Sequence, residues 1–230
     1  MSAPLSGISS MATRQVLADL VAAWQSRGGE PVAIESVGGV DAAQRVRAGT
    51  ESFDVVFLAA DAIGKLEAEG RVLAGSRVDL MRSSTAVAVR AGQPRPDIGS
   101  EESVRAAVLA APTLGYSTGP SGVALQRLFE RWGIADEIKP RIVQARPGVP
   151  VGSLVASGEV ALGFQQLSEL INLAGIDIVG PLPPAIAIDT VFSAGVVSGS
   201  AHADAVRRLL AFMASPEAAA AKQRQGMAAA

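Results

Sequence analysis

Leu114–Trp132 reads LGYSTGPSGVALQRLFERW, the end of a strand, a loop of small residues, then a helix. Thr113–Tyr116 is a short apolar run placed after a proline. Ser117–Gly122 is a turn-forming cluster. Beyond it Leu125, Leu128, Phe129 and Trp132 recur at i, i+3, i+4 and i+7, which predicts an amphipathic helix stopped by Gly133. Ser121 is expected at the N-cap. Such a helix start carries unpaired backbone N–H groups and the positive end of the dipole, so it attracts anions. The hydroxyls of Tyr116, Ser117, Thr118 and Ser121 stand beside it. GPSG has no lysine and is not a phosphate-binding P-loop. An ordinary capped helix after a strand is written with the same letters, so the rest of the chain has to decide between scaffold and site.

On the N-terminal side, the same strand–loop–helix unit recurs. Leu5–Ser9 reads as a weak strand, with Ser9 and Ser10 leading into a helix that carries Val16, Leu17, Leu20, Val21 and Trp24 on one face. Val32–Ser36 is a strand, Gly38-Gly39 a bare junction, and a helix runs from about Val40 to Ala48. Asp54–Leu58 reads as a buried parallel strand, followed by a helix from about Asp61 to Glu69. This β-α-β-α-β-α order implies a parallel sheet with right-handed crossovers.

Thr85–Arg90 is a strand, and a second α/β set follows the Pro/Gly-rich segment Ala91–Gly99. It comprises a helix from about Glu102 to Ala110, the quoted stretch, strands at Ile142–Ala145 and Ala161–Phe164, and a helix near Val151–Ser157. Gln165 and Gln166 end the later strand, ahead of Leu167–Asn172. Ile176–Val179 is a further strand. Thr190–Val197 is strongly strand-like, and helices from about Ala203 to Met213 and Ser215 to Gln223 close the chain. Gly226–Ala230 is expected to fray. Two lobes are expected, residues 1–84 with 195–230 and residues 91–189, joined by crossing strands at about 85–90 and 190–194. Ligands of such sheets bind beyond the carboxyl ends of strands. Ser9-Ser10, Gly38-Gly39, Tyr116–Ser121, Arg146–Val149 and Gln165-Gln166 all fall at strand-to-helix turns. An interlobe cleft gathering them is the expected ligand site.

Composition removes many alternatives. The chain has 230 residues, net charge −2, 49% hydrophobic and 4% aromatic residues, a well-buried globular protein of one large or two small domains. Near-neutral charge points to neither nucleic acid nor an anionic membrane surface. Cysteine is absent and histidine occurs once. Disulfides, thiolate metal sites and a cysteine nucleophile are excluded, and a single histidine in a polar stretch argues against a zinc site or a Ser–His–Asp triad. His202 reads as a solvated helix-start residue. No apolar run approaches the ~20 residues of a membrane span. Met1–Ser10 shows no basic and apolar leader pattern, so the chain as written reads as cytoplasmic, or periplasmic if a leader was removed. A transporter partner is expected only if the protein is exported.

The order of SSMAT, VGGVDAAQRVRAG, FDVVFLAAD, GYSTGPSG, PVGSLVASGEVALGF and ASPEAAAA resembles the molybdate-binding members of the type II periplasmic solute-binding proteins, over nearly the whole chain. The resemblance implies a two-lobed α/β fold with the ligand between lobes. It places the family's ligand positions on Ser9 or Ser10, on Gly38-Gly39-Val40, on Ser121 with Gly122, near Val149, and on Gln165 or Gln166. Two positions depart: no hydroxyl stands at Gly38-Gly39, and glutamine replaces the family's tyrosine. A tetrahedral oxyanion loses donors there, whereas Arg146 and two amides suit carboxylates. A small organic polycarboxylate is therefore the first ligand expected, and molybdate or tungstate the second.

GFQQLSEL, PVGSLVASGE, and VGPLP followed by FSAGV resemble the aconitate isomerase-like branch of this superfamily. That resemblance implies an allylic proton shift needing no metal or cofactor, only carboxylate clamps, a base and a donor for enolate-like charge. Arg146 and helix N-termini are the clamps, with Arg82 either a further clamp or a solvated residue. Tyr116 and Glu169 are the proton-transfer candidates; packing and solvation respectively are their plainer readings. A transporter's solute-binding protein and a ligand-sensing module are the other functions this chain fits.

Overall fold

The computed structural model describes residues 4–146 and 148–230. Residues 1–3 of the stretch read for a leader, and residue 147 of the Arg146–Val149 loop, lie outside them. In chain order the strands and helices are β1 (Leu5–Ser10), α1 (Arg14–Ser26), β2 (Val32–Val37), α2 (Gly39–Ala48), β3 (Val55–Ala59), α3 (Ala60–Ala68), β4 (Val78–Arg90), α4 (Glu101–Ala110), β5 (Leu114–Tyr116), α5 (Pro120–Arg131), α6 (Ala135–Ile138), β6 (Ile142–Gln144), α7 (Val151–Ser157), β7 (Leu162–Gln166), α8 (Leu167–Leu170), β8 (Ile176–Pro181), β9 (Asp189–Val196), α9 (Ala203–Ala214), α10 (Ala219–Arg224) and β10 (Met227–Ala229). Contacts divide the chain into two units, Met1–Arg82 with Val191–Ala230, and Ser83–Thr190. β4 and β9 each begin in one unit and end in the other.

In the first unit, β1 lies between β2 and β3, parallel to both, and β3 pairs antiparallel with β9. Helices cover both faces of this sheet, so β3 (VVFLA) is apolar throughout rather than alternating in polarity. Along β3, Val55 and Phe57 face a core with Val16, Leu17, Leu20, Leu209, Leu210 and Met213. Val56 and Leu58 face the opposite core with Ile8, Val46, Ile63 and Leu66. The period of two along the strand thus feeds two helix layers.

In the second unit β5 lies parallel between β6 and β7, and β4 runs antiparallel to β7 and β8. The main core packs Leu125, Leu128 and Phe129 of α5 on Leu114, Tyr116, Leu162 and Phe164. These are the positions whose helical spacing predicted α5. Helix α7 comes very close to the sheet. A Cβ on Gly163 would lie 2.5 Å from Val155, and one on Gly115 3.2 Å from Val151.

Three expectations are corrected. Ser121 is not the N-cap of α5: Gly119 is, with Pro120 in the first helical position, where its fixed φ and missing N–H are tolerated. The strand expected at Thr85–Arg90 is the second half of a thirteen-residue strand. Its first half, VDLMRSS, hides its period behind Asp79 and Arg82. Gly226–Ala230 does not simply fray: Met227–Ala229 pairs with β4, and Met227 is 3% exposed. His202 is an exposed helix-start residue, as expected, at the N-cap of α9, and its Nδ1 also lies 3.0 Å from an Asp54 carboxylate oxygen.

Candidate functional site

In the second unit the parallel register aligns Tyr116 with Gln144 and with Phe164. The carboxyl ends of β6, β5 and β7 therefore lie on one edge. That edge carries the Arg146 loop, the Ser117–Gly119 loop, Gln165, Gln166 and the first turn of α8.

Arg146 is exposed, and its carbonyl accepts the Val149 N–H at 3.0 Å, with Gly148 at φ +80°. The Val149 amide proposed as a ligand donor is thus used to close its own turn. Tyr116 is 3% exposed and packs against Phe129, the ring centroids 6.2 Å apart and the planes tilted by 56°. Its hydroxyl accepts from Gln126 Nε2 at 3.2 Å, so the residue is anchored in the core. Ser117 Oγ accepts the Gly119 N–H at 3.3 Å. Ser121 and Gly122 are buried in the first turn of α5. Gly122 has a steric role: a Cβ there would sit 1.8 Å from the Ser117 carbonyl oxygen, so only glycine lets the loop fold back onto the helix start.

Gln165 and Gln166 are 1% and 3% exposed. An amide this deeply buried must be hydrogen-bonded or carries a desolvation cost. Gln165 Oε1 accepts the Gly152 N–H at 3.1 Å, which leaves its NH2 to donate to the Glu169 carboxyl. Gln166 Nε2 bonds Thr190 Oγ1 at 2.7 Å, while its Oε1 is unpartnered. Thr85 Oγ1, on the residue registered opposite Gln166, is also buried and unpartnered. Ser83 Oγ, one pleat away on β4, bonds Ser168 Oγ at 3.3 Å.

Glu169 departs most from its sequence reading. It was expected to be solvated, yet burial pushes its acid up to about 7, and only the Gln165 donor pulls the other way. The residue keeps some surface, and the protein around its carboxyl removes enough water to disfavour the charged form. No cation contributes to its state.

In the first unit, β1 delivers Ser9 and Ser10 to its carboxyl end. Ser9 is fully buried and shares a 2.8 Å hydrogen bond with Ser36 Oγ, so it is structural. Ser10 is 7% exposed and its Oγ has no partner, although its carbonyl accepts from Thr13 at 3.0 Å. A Cβ on Gly39 would stand 3.5 Å from Ser10 Cβ. The first turn of α2 therefore adjoins this hydroxyl, with Gly38 at its N-cap and no side-chain cap. Asp41 in that turn brings a negative charge, which weighs against a densely charged anion.

Sequence reasoning missed Thr85 and Thr190, and it named Glu169 as a proton-transfer candidate whose plainer reading was a solvated residue. A signal existed for the threonines: each interrupts an apolar strand at a position the alternation buries. The burial of Glu169 gave none, because it depends on the packing of α8 against β4 and β8. Arg82 stands outside the second unit. Among the described residues no cluster of three or more His, Asp or Glu is placed to hold a metal. No helix of the described residues is long and apolar enough to cross a membrane.

Comparisons with known proteins follow this geometry. A family profile described as bacterial extracellular solute-binding protein matches residues 5–228. Aconitate isomerase from Pseudomonas sp is 43% identical over 180 residues, covering 77% of this chain and 68% of that protein. The periplasmic molybdate-binding protein of Azotobacter vinelandii superposes with a TM-score of 0.79 at 24% identity, over 97% of this chain and 98% of the other. A tungstate ABC transporter structure from Geobacter sulfurreducens gives 0.75 at 17% identity, over 95% and 97%. The sulfate-binding protein SubI of Mycobacterium tuberculosis H37Rv gives 0.75 at 16%, over 98% and 86%. At these identities the solved structures show the fold, the α/β type II periplasmic-binding-protein-like architecture expected from the sequence, and leave the ligand open.

Proposed function

The chain belongs to the bacterial extracellular solute-binding protein family, and from that premise we propose that it binds a small organic polycarboxylate and isomerises it without a cofactor, as an aconitate isomerase does. The 43% identity to the Pseudomonas aconitate isomerase carries this reading. The second unit supports it in chemical terms. An exposed arginine suits bidentate pairing with a carboxylate, and the unpartnered end of the Gln166 amide and the Thr85 hydroxyl suit carboxylate or hydroxyl oxygens. The free Ser10 hydroxyl and the uncapped start of α2 form a second, independently testable set in the first unit.

The reaction is an allylic proton shift. A base removes a proton from the methylene carbon, and that C–H electron pair becomes a new C=C bond. The former double-bond pair then takes up a proton at the far carbon. Nothing is oxidised or reduced, so the chain's own acids, bases and hydrogen-bond donors suffice.

Binding of molybdate, tungstate or a related oxyanion for an ABC transporter is the second reading. The family description and the shared fold favour it. A thermal-shift screen separates the two, because a ligand that binds the native state raises the melting temperature by mass action. Citrate, cis- and trans-aconitate and itaconate are set against molybdate, tungstate and sulfate. Stabilisation by the tricarboxylates is expected; stabilisation by molybdate or tungstate alone overturns the polycarboxylate assignment.

A further inference from the structure

We propose that Glu169 is the base that removes the allylic proton and returns it at the far carbon, and that Gln165 is the positioning residue holding its carboxylate. The proposal rests on the isomerase reading above. Four observations carry it. First, no loop separates β7 from α8: Gln166 ends the strand and Leu167 starts the helix. Glu169 is thereby fixed at the strand edge that carries Gln165, Gln166 and the Arg146 loop. Second, its orientation is determined by a relay. A backbone N–H can only donate, so the Gly152 amide claims Gln165 Oε1 at 3.1 Å, and the Gln165 NH2 is left for Glu169. Third, the elements around it bring no competing charge. β4 and β8 pack Ala86, Ala88, Ile176 and Ile178 around Leu170 in the same turn, and Asp177 of β8 lies 3.6 Å from Arg95. A carboxylate without a cation partner keeps its basicity. Fourth, the other candidate is a core residue: Tyr116 is 3% exposed and packs on Phe129, and its oxygen accepts from Gln126 at 3.2 Å. Burial adds to this by raising the Glu169 acid toward neutrality, where a general base works best at physiological pH.

The experiment follows trans-aconitate by proton NMR in D2O with purified full-length protein, reading both conversion to the cis isomer and deuterium entering the methylene carbon. Glu169→Gln should lower both rates by roughly 10²-fold or more, the usual range for loss of a general base, while trans-aconitate affinity by calorimetry stays within about threefold of wild type. Glu169→Asp should retain measurable exchange at a reduced rate, which shows that the carboxylate itself matters. Gln165→Leu removes a donor that favours the ionised form, so the rising limb of its pH–rate profile should move to higher pH. Undiminished exchange in Glu169→Gln, or equal losses of affinity and rate, overturns the assignment while leaving the isomerase reading intact. A wild-type protein that binds trans-aconitate but neither exchanges nor converts it overturns the isomerase reading and this assignment with it.

Discussion

Replacing Glu169 by glutamine should change how stability depends on pH, and the size of the effect follows from the structure. In the folded chain the acid titrates at about 7 against the ordinary 4.5. A tenfold difference in proton affinity corresponds to about 1.4 kcal/mol, so ionised Glu169 costs the fold roughly 3 kcal/mol. Its residual surface makes that an upper figure. Between pH 4.5 and 7 the folded chain holds a proton that the unfolded chain releases, so this residue makes stability fall as pH rises through that window. Below it both states are protonated; above it the full cost is present. Glutamine is neutral throughout. Urea denaturation of wild type and Glu169→Gln at pH 5 and pH 8 measures the difference directly. The variant should gain up to about 3 kcal/mol on wild type between the two conditions, or at most roughly 6–12 °C in melting temperature for a chain of this size. Parallel behaviour within about 0.5 kcal/mol would refute the argument, because a solvated carboxylate has no such linkage.

Three further outcomes test the rest of the structure. Gly122→Ala forces the Ser117 carbonyl away from the start of α5, and should destabilise the fold by about 1–3 kcal/mol, as overpacking does, which chemical denaturation will read. Asp54 is opposed by burial, yet donors from Ser200, Ser6 N–H and His202 leave its acid below the ordinary carboxylate range. Its contribution is therefore present near neutrality and lost as pH falls through the folded value; Asp54→Asn should cost about 1–3 kcal/mol at pH 7, with the difference shrinking toward pH 3. Arg146→Ala should weaken trans-aconitate binding by about 2 kcal/mol or more, roughly 30-fold, as for a lost charge-assisted pair, without lowering the melting temperature of the unliganded protein.

The sequence revealed the fold wherever one local period governed an element. Val151–Ser157 is a helix at its expected bounds, because its apolar spacing and closing Gly158 are both local. Helix α5 follows Leu125, Leu128 and Phe129 in the same way, and Asp54–Leu58 becomes a strand shifted by one residue. What stayed hidden depends on non-local partners. Met227–Ala229 has no strand signature and is ordered by pairing with β4. The first half of β4 is written in polar letters, since Asp79 is satisfied by Ser193 Oγ at 2.6 Å from a strand more than a hundred residues away. Ser121 was displaced from the N-cap by the Pro120 beside it. Within the site, the glycines, serines and glutamines stood out because each sits at a strand-to-helix turn. Glu169 stood out as a candidate acid or base, but its burial did not, since an acid in a short helix looks solvated until the packing around it is known.

Turnover of trans-aconitate by the purified protein, without added metal or cofactor, tests the central claim most directly. Conversion to the cis isomer, approaching the same equilibrium mixture from either side, is the predicted result. Saturable binding of trans-aconitate without conversion in either direction would contradict it, and would make this chain a carboxylate-binding protein rather than an isomerase.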